Sequence, residues 1–112
     1  MYQITYFQAL PGKEQAYNKA IADATMPLFD ELVKRKILVS YLNLAQSVGT
    51  GEYTHVLVLE FANWAARDGL GAKANEAAQA VLHKSFGESL AGFVELRREV
   101  RSELYTSSGQ QP

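Results

Sequence analysis

The chain has 112 residues, of which 47% are hydrophobic and 21% charged, with a formal net charge of −1, as expected for one compact soluble domain. It has no basic excess or polybasic run, so neither nucleic acid nor a membrane surface is an expected partner. Zero cysteines exclude disulfides, thiol catalysis and cysteine zinc sites, and two histidines, His55 and His83, are too few for a histidine-rich metal centre, so no metal and no cofactor is expected.

No apolar run reaches the ~20 residues of a membrane span. The opening "MYQITYFQAL" lacks the basic segment and cleavage site of a signal peptide, which gives a cytoplasmic expectation. Residues 2–10 are rich in aromatic and β-branched side chains and stop at Pro11-Gly12, which predicts a strand and a turn. From Lys13 the apolar residues Tyr17, Ile21, Ala24, Leu28, Leu32 and Val33 recur at helical steps. Pro27 lies inside this stripe and predicts a kink or break. Residues 37–48 and 52–61 read as two strands joined at "GTG" (49–51), a hairpin. Residues 63–70 read as a short helix with Asn63 as its N-cap. A long apolar stripe from Ala74 to Val94 predicts a second helix interrupted at Gly87 and Gly92. Residues 99–106 alternate as a last strand, and 107–112 read as a disordered tail after a single domain over 1–106.

The order strand, helix, strand, strand, helix, strand is the ferredoxin-like βαββαβ unit, an α+β fold with helices on one face of a four-stranded antiparallel sheet. The third strand adds a requirement. Tyr53, His55, Leu57, Leu59 and Phe61 alternate with Thr54, Val56, Val58 and Glu60, so both faces of its centre are apolar. One face packs on the helices. The other needs cover on a soluble protein, and a second copy of the same sheet is the simplest cover. A homodimer joined sheet to sheet is therefore expected.

Two stretches carry a resemblance: "PGKEQAY" (11–17) and "GEYTHVLVLEFANWAA" (51–66). With the element order, they resemble the dimeric α+β barrel superfamily over residues 1–106. Within it the "YTHV…EF" portion is similar to stress-responsive barrel proteins and plant polyketide cyclases, and more loosely to antibiotic-biosynthesis monooxygenases. The resemblance implies a hydrophobic, aromatic or polyketide-like small molecule held between sheet and helices. It also implies cofactor-independent cyclase or monooxygenase chemistry with His55 as the acid–base residue. The cyclases pair this histidine with a tyrosine from the second-helix region. Residues 63–90 contain no tyrosine, which leaves Tyr17 and Tyr6 as the substitutes.

The residues themselves allow two readings at each candidate. His55 is either a cavity base, held neutral by burial, or a strand-end histidine bonded to backbone or water. Tyr6, Tyr17, Tyr41 and Tyr53 offer hydroxyls for a phenolic ligand, or are core and rim packing. Asn63 and Trp64 are either at a cavity mouth or are a cap and an anchor of the short helix. His83 lies off the apolar stripe and reads as solvated. The run "ELRREVRSE" (95–103) reads as a solvated face or dimer rim. No Ser-His-Asp order, phosphate loop or dinucleotide fingerprint is present. The alternative to an enzyme is a non-catalytic ligand-binding or stress-associated barrel.

Overall fold

A computed structural model describes residues 1–49 and 51–107. Thr50 of the hairpin turn, and the tail beyond Ser107, lie outside the described residues. Strand β1 (Tyr2–Ala9) is followed by helices α1 (Glu14–Ala20) and α2 (Met26–Lys34), then by strands β2 (Ser40–Ala45) and β3 (His55–Glu60). Helices α3 (Leu70–Leu82) and α4 (Phe86–Ala91) precede β4 (Arg97–Tyr105). The sheet order is β2-β3-β1-β4, with every neighbouring pair antiparallel. This is the ferredoxin-like α+β fold. Among the described residues, no helix is long and apolar enough to cross a membrane.

Pro27 does not break the first helix. A π-helical turn, Ile21–Thr25, joins α1 to α2, and Pro27 falls at the second position of α2. A proline near a helix start removes a donor that has no partner within that helix. The wider π turn just before it lets the chain stay helical.

The second helical stripe breaks earlier than Gly87. His83 ends α3 in a left-handed conformation, with φ 58°, a geometry in which histidine is enriched among non-glycine residues. Ser85 then starts α4 through a capping box: its hydroxyl accepts the Glu88 N–H at 3.0 Å, and the Glu88 carboxylate accepts the Ser85 N–H at 3.2 Å. Gly87 sits inside this new helix and Gly92 ends it. The expected helix at 63–70 is a single 3₁₀ turn, Ala65–Arg67, and Asn63 caps it by accepting the Ala66 N–H at 2.9 Å.

The core forms two clusters on the helical side of the sheet. Leu28, Phe29 and Leu32 of α2 meet Leu38, Leu59, Phe61, Ala77 and Ala78. Phe7, Ala9, Tyr17, Ile21 and Phe93 form the other, and Leu57 packs against both. Full burial of such side chains contributes about 1.5–3 kcal/mol each.

Strand β4 carries an irregularity that decides which charges face inward. Tyr6 pairs with Arg101, but the next residue, Phe7, pairs with Glu99, so Val100 is left over as a bulge. In a regular strand Arg97 and Arg101, four residues apart, share a face. The bulge reverses the parity. Arg101 lies on the outer face over the Tyr6 ring, 4.2 Å from its centroid. Arg97 lies on the helical face over the Phe7 ring at 3.8 Å.

Candidate functional site

A cavity of about 300 Å³ lies between the sheet and the helices, where the two core clusters fail to meet. Its floor is the inner face of β1 and β3, with Thr5, Phe7, Leu57 and Leu59. Leu28, Phe29 and Leu32 of α2 form one wall; Phe86, Ser89, Leu90 and Phe93 form another. Where the helices approach, the side chains facing inward include small ones, Thr25, Ala74 and Ser89, each less than a tenth exposed. Larger residues there would fill the space. The lining is mostly apolar, and the volume is at the lower end of the range for small-molecule sites. Beyond it lies an outer groove of about 190 Å³, lined by Phe7, Leu90, Phe93, Val94, Arg97 and Glu99. Five of those six residues also line the cavity, so the two spaces are continuous.

Arg97 stands at this junction. Its guanidinium lies 3.8 Å from the Phe7 ring centroid and 4.4 Å from that of Phe93. Its Nη1 donates to the Tyr17 hydroxyl at 3.2 Å. Burial pushes the Tyr17 hydroxyl above its ordinary pKa, and the bond and charge of Arg97 oppose that shift.

His55 faces the helices and is only 4% exposed. It sits behind the cavity, and its ring is 4.5 Å from that of Tyr17, tilted by 58°. Both ring nitrogens are engaged. Nδ1 is 2.8 Å from the Thr54 hydroxyl, and Nε2 is 2.7 Å from the Asn18 side-chain oxygen. Thr54 Oγ1 already accepts the Ala9 N–H at 2.9 Å. The Asn18 oxygen can only accept, so Nε2 carries the proton, and in the neutral ring Nδ1 then accepts from the Thr54 hydroxyl. This assigns the neutral, Nε2-protonated tautomer. Burial pushes the imidazole below its ordinary pKa; Glu14 opposes this and Arg97 reinforces it.

The remaining candidates are dispersed. The Tyr6 and Tyr53 rings meet on the outer face of the sheet, with centroids 4.8 Å apart and planes tilted by 59°. Strand parity puts Tyr6 there, opposite to Thr5 and Phe7. Tyr41 faces the helices and packs on Phe29 at 5.6 Å. Its hydroxyl donates to Asp30 at 2.6 Å, and burial, then Asp30, pushes its pKa up to about 12. Trp64 is 53% exposed, and Asn63 is exposed and occupied as a cap. Among the described residues, none of His55, Tyr6, Tyr17, Tyr41, Tyr53, Asn63 and Trp64 lines the cavity. Tyr17 reaches its edge through the bond from Arg97, and His55 lies behind Tyr17. His83 is exposed at the end of α3. No group of three or more His, Asp or Glu side chains suited to a metal ion occurs among the described residues.

Arg97 and the polar lining residues Gln3, Thr5, Thr25, Ser89 and Glu99 did not stand out in the sequence. The one signal for Arg97 was the charged run at 95–103, which reads as solvated if the strand is regular.

The fold and cavity define a small ferredoxin-like α+β protein with an apolar space between its layers. Its backbone is similar to the crystal structure of HapK from Hahella chejuensis, with a TM-score of 0.61 at 14% identity, over 100% of this chain and 99% of that one. No protein-family model matches the chain, and no curated protein matches it.

Proposed function

We propose that this protein binds a hydrophobic, aromatic or polyketide-like small molecule in the cavity between sheet and helices, as a homodimer joined through the outer faces of its sheets. The cavity carries the reading. An apolar space of about 300 Å³, kept open by Thr25, Ala74 and Ser89, costs packing energy that a single folded core has no reason to forgo. The dimer is supported by the outer face, where Leu42 is 56% and Leu44 49% exposed beside half-buried Val56 and Val58.

A fluorescence titration with 2-naphthylmethanol tests the binding. Saturable, one-to-one binding per chain is expected, and Ala74→Phe, which places a ring in the cavity, should weaken it about tenfold or more. Binding unaffected by Ala74→Phe in a folded variant would contradict the assignment of the site.

A second reading, cofactor-independent catalysis by His55, is favoured by one contact. Tyr17, from the first helix, supplies beside His55 the tyrosine that the second-helix region lacks. Against it, neither ring nitrogen has a free lone pair in the assigned tautomer, so His55 acts as a base only after Thr54 turns away. If the chain cyclises, isomerises or oxygenates an acidic carbon, His55→Gln should lower turnover by about 10²-fold or more. Turnover unchanged in that variant would remove His55 from the chemistry.

A further inference from the structure

Arg97 combines features that packing alone does not explain. Its side chain reaches inward because of the Val100 bulge, and it stands where the cavity opens into the outer groove. A guanidinium has five N–H donors, yet the one hydrogen bond its side chain makes among the described residues is to the neutral Tyr17 hydroxyl. No carboxylate lies within ion-pair distance of it among the described residues: the ion pairs formed are Lys19–Asp23, Arg35–Glu31 and those of Arg101 with Glu52 and Glu103. Glu99, two residues along β4, also lines the cavity but is exposed and does not pair with Arg97.

A half-buried cation with aromatic rings against it and no counter-charge has lost hydration without full replacement. The rings of Phe7 and Phe93 offset part of that cost through cation–π attraction. They lie against the guanidinium without using its N–H donors in hydrogen bonds, which leaves the remaining donors to a partner entering from the cavity. The planar fork matches a carboxylate or another flat oxyanion in two-point fashion.

From this we infer that the ligand is anionic: an aromatic or polyketide-like acid whose carboxylate pairs with Arg97 at the cavity mouth while its apolar body fills the space between Leu28, Leu57 and Leu59. This rests on the cavity being a ligand site, and it adds the polar anchor and the orientation. Tyr17 is a positioning residue, since it acts by holding Arg97.

The test compares two probes of nearly the same shape, 2-naphthoate and 2-naphthylmethanol, at pH 7.5 on the full chain. The naphthoate should bind about tenfold or more tightly than the alcohol, the scale of one charge-assisted pair. Arg97→Met should bring the ratio of the two affinities to about one, because the methionine removes the charge and keeps an apolar side chain against Phe7 and Phe93. Arg97→Lys keeps the charge without the fork, so a reduced but measurable preference is expected and serves if the methionine variant does not fold. Equal affinity of wild type for the two probes, a preference that survives in Arg97→Met, or one that is undiminished in Arg97→Lys overturns the anion anchor while the cavity reading stands. Failure of both probes to bind overturns both.

Discussion

At the scale of single residues, His55 and Arg97 show opposite relations between sequence and site. His55 is visible in the sequence as a lone titratable group at the start of an apolar strand, and its burial follows from sharing a face with Leu57 and Leu59. Its partners do not follow, because Asn18 is 37 positions away and reaches it only once α1 lies across the sheet. Arg97 is invisible because charged runs are usually solvated. The neutral state of His55 has a consequence for stability. The imidazole titrates near 6.5 when unperturbed and lower in the fold, so the unfolded chain binds the proton first as the pH falls. Stability should therefore decline as the pH drops through about 6.5 and level off below the folded value. Urea melts between pH 5 and 8 check this, and His55→Gln should flatten that part of the curve. A slope of the same size in the variant would assign it to other groups.

At the scale of elements, the strands and the first helix were legible from periodicity, and the missed features are local chemistry that periodicity does not report. The α3–α4 break is the clearest case. Two glycines drew the expected interruption, yet Ser85 and Glu88, spaced for a reciprocal cap, set the real one. Ser85→Ala removes the acceptor for the Glu88 N–H and should cost about 1 kcal/mol. Because α4 presents Ser89 and Leu90 to the cavity, the same change should weaken ligand binding along with the fold. A thermal melt and a 2-naphthylmethanol titration read the two effects. The Val100 bulge was equally hidden: alternation through 99–106 fits a regular strand, and only the register against β1 shows the extra residue.

At the scale of the whole molecule, the βαββαβ order alone implies the helix-covered four-stranded antiparallel sheet. The cavity was expected in kind but not in lining, because it is a property of how two clusters fail to meet. The outer face of the sheet bears the other claim. Leu42, Val56 and Val58 lie in register across β2 and β3, with Leu42 paired to Val58. A lysine there places an ammonium where a second sheet would sit. Val58→Lys should convert a particle of twice the chain mass into one of single mass, read by light scattering at micromolar concentration. Wild-type protein already at single mass would remove the dimer.

The claim that the space between the layers is a ligand site is tested most directly by amide NMR of isotopically labelled protein titrated with 2-naphthylmethanol. The largest shifts are predicted at Thr25, Leu57, Ala74, Ser89 and Phe93, which surround the cavity from four sides. Shifts confined to Leu42, Leu44, Val56 and Val58 on the outer face, or no shifts at saturating probe, would contradict it.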